Sequence, residues 1–113
     1  MSKIYLAVLD EVPNHMVPVL VAHAMLGAHI TFQRELPPEQ YQHYGAWLNK
    51  SFRKVVVKVN RKEFAKISNL PYVYLGYENT TLNGEKSCAV VLSTEDLPNV
   101  LKFAKLWSPN ESN

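Results

Sequence analysis

Apolar residues along this chain change their spacing from one stretch to the next, and each change marks an element. Ile4–Leu9 is a continuous apolar run closed by Asp10-Glu11, the pattern of a strand covered on both faces. The stretch Val12–Ala28 then predicts a helix that is apolar on nearly every side and should be covered all round. His23 is the polar residue inside that run. Asn14 or His15 would cap this helix, Pro18 fits within its first turn, and Gly27 should end it. His29–Phe32 leads into Gln33-Arg34-Glu35, and Pro37-Pro38 opens a second helix over Glu39–Asn49. There Tyr41, Tyr44, Trp47 and Leu48 recur at three- and four-residue spacings, which makes one buried stripe. Gly45 in its middle either weakens the helix or admits a close neighbour.

Phe52–Val59, with three valines in a row between basic residues, is the clearest strand. Asn60 followed by Glu63 is a capping pair for a short helix over Arg61–Ser68, which Leu70-Pro71 breaks. Tyr72–Tyr77 reads as a third strand and Ser87–Leu92 as a fourth. The polar stretch Glu78–Glu85 between them carries the turn signal Asn83-Gly84. Thr94-Glu95-Asp96 opens a last helix, with Pro98 in its first turn, that runs to about Trp107. The expected fold class is therefore α/β: a single-domain, three-layer α/β/α sandwich on a four-stranded mixed sheet, in the order β-α-α-β-α-β-β-α. One domain spans 1–107, and a polar tail over 108–113 should fray.

Composition adds limits. With 113 residues, 47% hydrophobic and 19% charged, the chain has the make-up of an ordinary soluble globule. A formal net charge of +2 does not by itself announce a nucleic-acid binder. A lone cysteine, Cys88, excludes an internal disulfide and points to a reducing, cytoplasmic setting, with the thiol a small buried hydrophobe. The N-terminal apolar run is too short for a signal peptide, and no run approaches a membrane span, so no membrane association is expected. His29 and His43 lack ligand-like spacing to other His, Cys or acidic residues, so neither a metal nor a cofactor is expected.

Several segments in this order resemble the type-two peptidyl-tRNA hydrolase family, over nearly the whole chain. H-A-M-L-G-A at 23–28 is similar to a motif in that family's first helix, and Trp47-Leu48 followed by F-R-K-V-V-V-K-V at 52–59 resembles its aromatic segment and basic strand. The resemblance implies that fold, a tRNA or peptidyl-tRNA partner, a homodimer, and a packing, second-shell role for His23. It also shows losses. Where the family has a Lys-Gly-Lys turn and, one turn further in, a glutamine, this chain has Asn14, His15, Met16 and Leu20. The family's aspartate position falls on Gly76 or Tyr77, and its threonine on Thr80 or Thr81.

Ester cleavage needs a base to activate water and donors for the oxyanion. The residues available as replacements are His15 as base, Asn14 with Thr80 or Thr81 as donors, and Glu78 as the carboxylate. The bland alternative is that Asn14 and His15 only cap a helix. Charge is concentrated elsewhere: seven of the 12 Lys and Arg fall between 50 and 66, namely Lys50, Arg53, Lys54, Lys58, Arg61, Lys62 and Lys66. Trp47 and Phe52 stand beside them, a combination suited to a phosphate backbone and its bases, or to solubilising an apolar strand. Tyr72, Tyr74 and Tyr77, the last after a bulge at Gly76, would offer a further stacking face. Three functions follow as expectations: a tRNA or acyl-RNA binder with little hydrolysis, a non-catalytic protein-interaction module, or a hydrolase of another ester or amide using His15.

Overall fold

In the computed structural model, which describes residues 2–93 and 96–110, strand β1 (Lys3–Leu9) is buried from Ile4 to Leu9. A strand with no solvent face must lie between neighbours and under cover on both sides. Its neighbours are β2 (Arg53–Val59), which runs parallel, and β4 (Cys88–Ser93), which runs antiparallel. β3 (Tyr74–Gly76) adds to β4, and β5 (Lys105–Leu106) adds to β2, giving the order β3-β4-β1-β2-β5.

Side chains alternate across this sheet into two cores. Ile4, Leu6, Val8, Cys88 and Val90 meet helix α1 (Val17–Glu35), together with Tyr44 of α2 (Pro38–Ala46) and Trp47. Tyr5, Ala7, Val57, Val59, Ala89 and Val91 meet Ile67 of α3 (Arg61–Ser68) and Leu101 of a single helical turn, Asn99–Lys102. The chain is thus a compact single-domain α/β protein, a five-stranded mixed sheet with three helices. Asn60 and Glu63 cap α3 reciprocally, each side chain accepting the other's backbone N–H at 2.8 Å.

Several expectations need correction. α1 does not stop at Gly27 but runs to Glu35, until Leu36 turns extended ahead of Pro37. Gly27 is small for another reason: a Cβ there would lie 2.2 Å from the Tyr74 hydroxyl oxygen. Nor is α1 covered all round, since Val19, Ala22, His23, Leu26 and Ile30 are exposed. With its lead-in turn it spans Asn14–Glu35, 22 residues, long and apolar enough by length and composition to cross a membrane, contrary to the expectation. Its inner stripe of Val17, Leu20, Ala24, Ala28 and Phe32 is nevertheless buried in the core.

The second helix gives way after Ala46 to a π-turn, Trp47–Ser51. Tyr41 is exposed rather than part of the buried stripe. The expected last helix is mostly absent, although its opening at Thr94 and Glu95 lies outside the described residues, as do tail positions 111–113. Only Asn99–Lys102 is helical; Lys105 and Leu106 instead pair with Lys58 and Val57, covering the outer edge of β2 and supplying the fifth strand. Gly76 forms no bulge, because Tyr74, Leu75 and Gly76 stay in register with Val90, Ala89 and Cys88.

The glycines separate two kinds of smallness. A Cβ on Gly76 would meet Ala24 Cβ at 2.6 Å and Ala24 Cα at 2.8 Å, so strand and helix touch there. Gly45 faces open space within helix α2. Gly45→Ala should therefore raise stability by about 0.5–1 kcal/mol. Gly76→Ala should lower it by about 1–3 kcal/mol through overpacking. Urea denaturation of both variants measures the two signs, and a Gly76→Ala chain as stable as the parent would remove the close approach.

Candidate functional site

The turn leading into α1 carries Asn14 and His15, but neither side chain caps a helix. Pro13 and Met16 occupy the N-cap positions without side-chain bonds. Asn14 is engaged by the C-terminal segment: its Oδ1 accepts from Trp107 Nε1 at 3.1 Å and its Nδ2 donates to the Ser108 carbonyl at 3.2 Å. Trp107 N also donates to the Val56 carbonyl, so the end of the chain is fixed across the sheet edge. His15 is exposed, and among the described residues nothing holds its ring.

The loop after β3 brings together Glu78, Thr80 and Thr81. Both hydroxyls and the Thr80 N–H donate to Glu78 Oε2, Thr81 at 3.2 Å and the Thr80 N–H at 2.9 Å. The Thr80 hydroxyl bond chiefly holds the Glu78 carboxyl below the usual carboxylate range, and the charge of nearby His23 adds to this. His23 is exposed at this place instead of buried as a packing residue. The loop therefore meets α1 at His23 and Ala24, beyond the first turn where His15 lies. Of the positions that the resemblance gives to polar residues, Leu20 is fully buried and Gly76 has no room for a side chain, while Tyr77, the alternative to Gly76, is exposed.

The basic run divides into two ends. At the C-terminal end of β2, Arg61 is bound by two carboxylates: Nε and Nη2 donate to Glu11 at 2.6 and 2.8 Å, and Nη1 and Nη2 to Glu85 at 2.6 and 3.2 Å. It ties the β1 loop to the segment before β4 and is thereby occupied. Lys62 is exposed and Lys58 half-buried at the same end.

At the other end of β2, Lys50, Phe52, Arg53 and Lys54 are all exposed. Lys3 lies beside Arg53 in the β1–β2 register, on the sheet face opposite Lys54, a neighbour that spacing along the chain does not reveal. Trp47 is buried and fixed by its Nε1–H to the Arg53 carbonyl at 2.8 Å. Tyr44, Trp47 and Phe52 follow one another at ring separations of 5.4 and 5.3 Å with interplanar angles of 30° and 29°. Lys54 Nζ stands 3.3 Å from the Phe52 ring centre. Beside this ladder and α1 lies an apolar groove of about 430 Å³. The three tyrosines expected to share a face do not: Tyr74 packs on Gly27, whereas Tyr72 and Tyr77 are exposed outside β3. Cys88 is buried and its thiol pushed up to about 12, a small apolar group in practice. Among the described residues no group of three His, Cys, Asp or Glu side chains could hold a metal.

The Arg61 clamp makes a pH-dependent contribution with a definite sign. Hydrogen bonds from Arg61 hold the Glu85 carboxyl below the usual range. A depressed carboxylate stabilises the fold above its unfolded value and loses that contribution as pH falls through the folded one. Stability should therefore decline on acidification below about pH 4. Glu85→Gln should make that decline shallower, read from urea midpoints against pH; an unchanged acid limb would show that the clamp contributes nothing.

No protein-family model matches the chain, and no curated protein matches it.

Proposed function

We propose that this chain is a nucleic-acid-binding protein of the three-layer, peptidyl-tRNA hydrolase II-like kind, taking tRNA or a related acyl-RNA without ordinary hydrolysis. The observation that carries the reading is the exposed Phe52 at the N-terminal end of β2, with the Lys54 ammonium 3.3 Å from its ring centre and exposed Lys50 and Arg53 near it along the chain. Cations there can track phosphates while the exposed ring meets a base, the usual division of labour at single-stranded sites. Arg61 leaves the expected RNA-binding set, since its donors are spent on Glu11 and Glu85.

Hydrolysis has less support. Asn14 is turned to the C-terminal segment, Glu78 is bonded to Thr80 and Thr81, Leu20 is buried in an apolar core, and Gly76 has no room for a side chain. If turnover exists, it is that of a carboxylic ester hydrolase with His15 as base.

RNA affinity should fall with salt at a log–log slope of about −2 to −3, as expected for three or four phosphate contacts on a single strand. Arg53→Ala with Lys54→Ala should cut both affinity and slope. A tRNA titration across salt concentrations, with peptidyl-tRNA release followed in parallel, tests this. Binding that ignores salt and both substitutions would remove the reading.

A second reading rests on the outer face of α1. Val19 is 47% exposed, Leu26 63% and Ile30 48%, an apolar stripe suited to a protein partner, including a second copy of the chain. Sedimentation velocity should then show a concentration-dependent dimer that Val19→Glu with Ile30→Glu abolishes. A monomer at all concentrations that also captures no protein would exclude it.

A further inference from the structure

We infer that the groove between α1 and the π-turn receives one unpaired nucleobase of the bound strand, stacked beside Phe52, with its phosphate on Lys54. This rests on the RNA reading above and makes it specific.

The sequence builds the site from a local irregularity. Trp47–Ser51 closes as a π-turn, and Phe52 N donates to the Trp47 carbonyl at 2.7 Å. π-turns are rare and concentrate at functional positions. The turn ends with Phe52 in the left-handed region at φ 53°, a conformation unfavourable for a bulky residue and held only because the surroundings impose it. The strain does not serve burial, since Phe52 is 54% exposed. It turns the ring outward as the last and most accessible step of the Tyr44–Trp47–Phe52 ladder.

Charge selects what can fill the groove. Its walls are Met25 and Leu26 of α1 and the rings of Tyr44, Trp47 and Phe52, with Lys54 at the rim and no acidic side chain among the lining residues. Lys54 Nζ donates to the Phe52 carbonyl at 2.7 Å and has no carboxylate partner among the described residues. An ammonium carries three donors; one is on the Phe52 carbonyl and one side faces the Phe52 ring, which leaves a donor for an anion. Arg53 and Lys50 extend the positive charge to either side along the chain. The occupant therefore needs a flat apolar face and an adjoining anion. His29 also lines the groove; its Nδ1 is taken by the Tyr44 hydroxyl at 2.8 Å, and Nε2 can meet the edge of a base. A base with its backbone phosphates meets all of these conditions. Stacking on aromatics is tolerant of sequence, so the site should accept any base.

The test compares two probes on the full chain at low salt: a six-nucleotide oligoadenylate, and a six-unit ribose-phosphate strand without bases. Oligoadenylate should bind about tenfold tighter, the order expected for one stacked base. It should also move the Trp47 indole and His29 ring resonances. Phe52→Gly removes the ring while suiting the left-handed backbone, so the fold is kept, and circular dichroism checks this. That variant should bring oligoadenylate down to the affinity of the baseless strand, and Phe52→Trp should restore the gap. Equal binding of both probes to the parent chain would overturn the inference and leave the RNA reading standing. A gap that persists in Phe52→Gly would do the same. If neither probe binds, the RNA reading itself fails, and the inference with it.

Discussion

The burial of β1 on both faces is the constraint from which the other placements follow. Six consecutive residues, Ile4 to Leu9, leave no polar side for water, so each face must be closed by its own helices. The parallel pairing of β1 with β2 requires the intervening chain to cross over the sheet, and that crossover is α1, α2 and the π-turn. α3 and the Asn99–Lys102 turn close the opposite face. The π-turn and Phe52 thus sit where the crossover must reverse into β2, at the end of the sheet furthest from Arg61.

The two ends of the parallel pair are finished differently. At the C-terminal ends of β1 and β2, polar groups satisfy one another: Arg61 with Glu11 and Glu85, Asn14 with Trp107 and Ser108, Glu78 with Thr80 and Thr81. Exposed ion pairs of this kind contribute little stability each, but three elements share the Arg61 guanidinium, so it fixes their positions. At the N-terminal end of β2, Lys50, Phe52, Arg53 and Lys54 are exposed, with the Lys54 ammonium over the Phe52 ring. In α/β folds the first of these ends is the usual place for chemistry. Here it is the second at which, among the described residues, the exposed cations have no carboxylate partner.

Local patterns were legible in the sequence and long-range ones were not. The Asn60–Glu63 capping box lies within one helical turn, so spacing alone identifies it. The valine run of β2 and the double burial of β1 are properties of contiguous residues. Gly27 failed as a helix terminator because its role is set by Tyr74, which meets it only after the sheet has formed. β5 was read as helix because pairing with Val57 and Lys58 is invisible to local propensity. The apolar run in α1 suggests burial on every side, yet hydrophobicity does not say which face is covered, and Leu26 is 63% exposed. Of the candidate site, Phe52, Trp47 and the lysines were visible as types; their grouping was not, because Lys3 reaches Arg53 only through strand register.

The resemblance and the geometry part company in a physically informative way. An amide at Leu20 would be buried in an apolar core, and a side chain at Gly76 would be forced into Ala24, whereas Tyr77, the other candidate for the aspartate position, is exposed. Burying an unpaired amide costs about 1–3 kcal/mol, and overpacking a tight contact about as much again. Together those penalties take up a large share of a domain's net stability. Close contact between Gly76 and Ala24 draws the strand tightly onto the helix and strengthens the core at the expense of a cleft. What remains open on that helix is its other flank, where Met25 and Leu26 face the aromatic ladder.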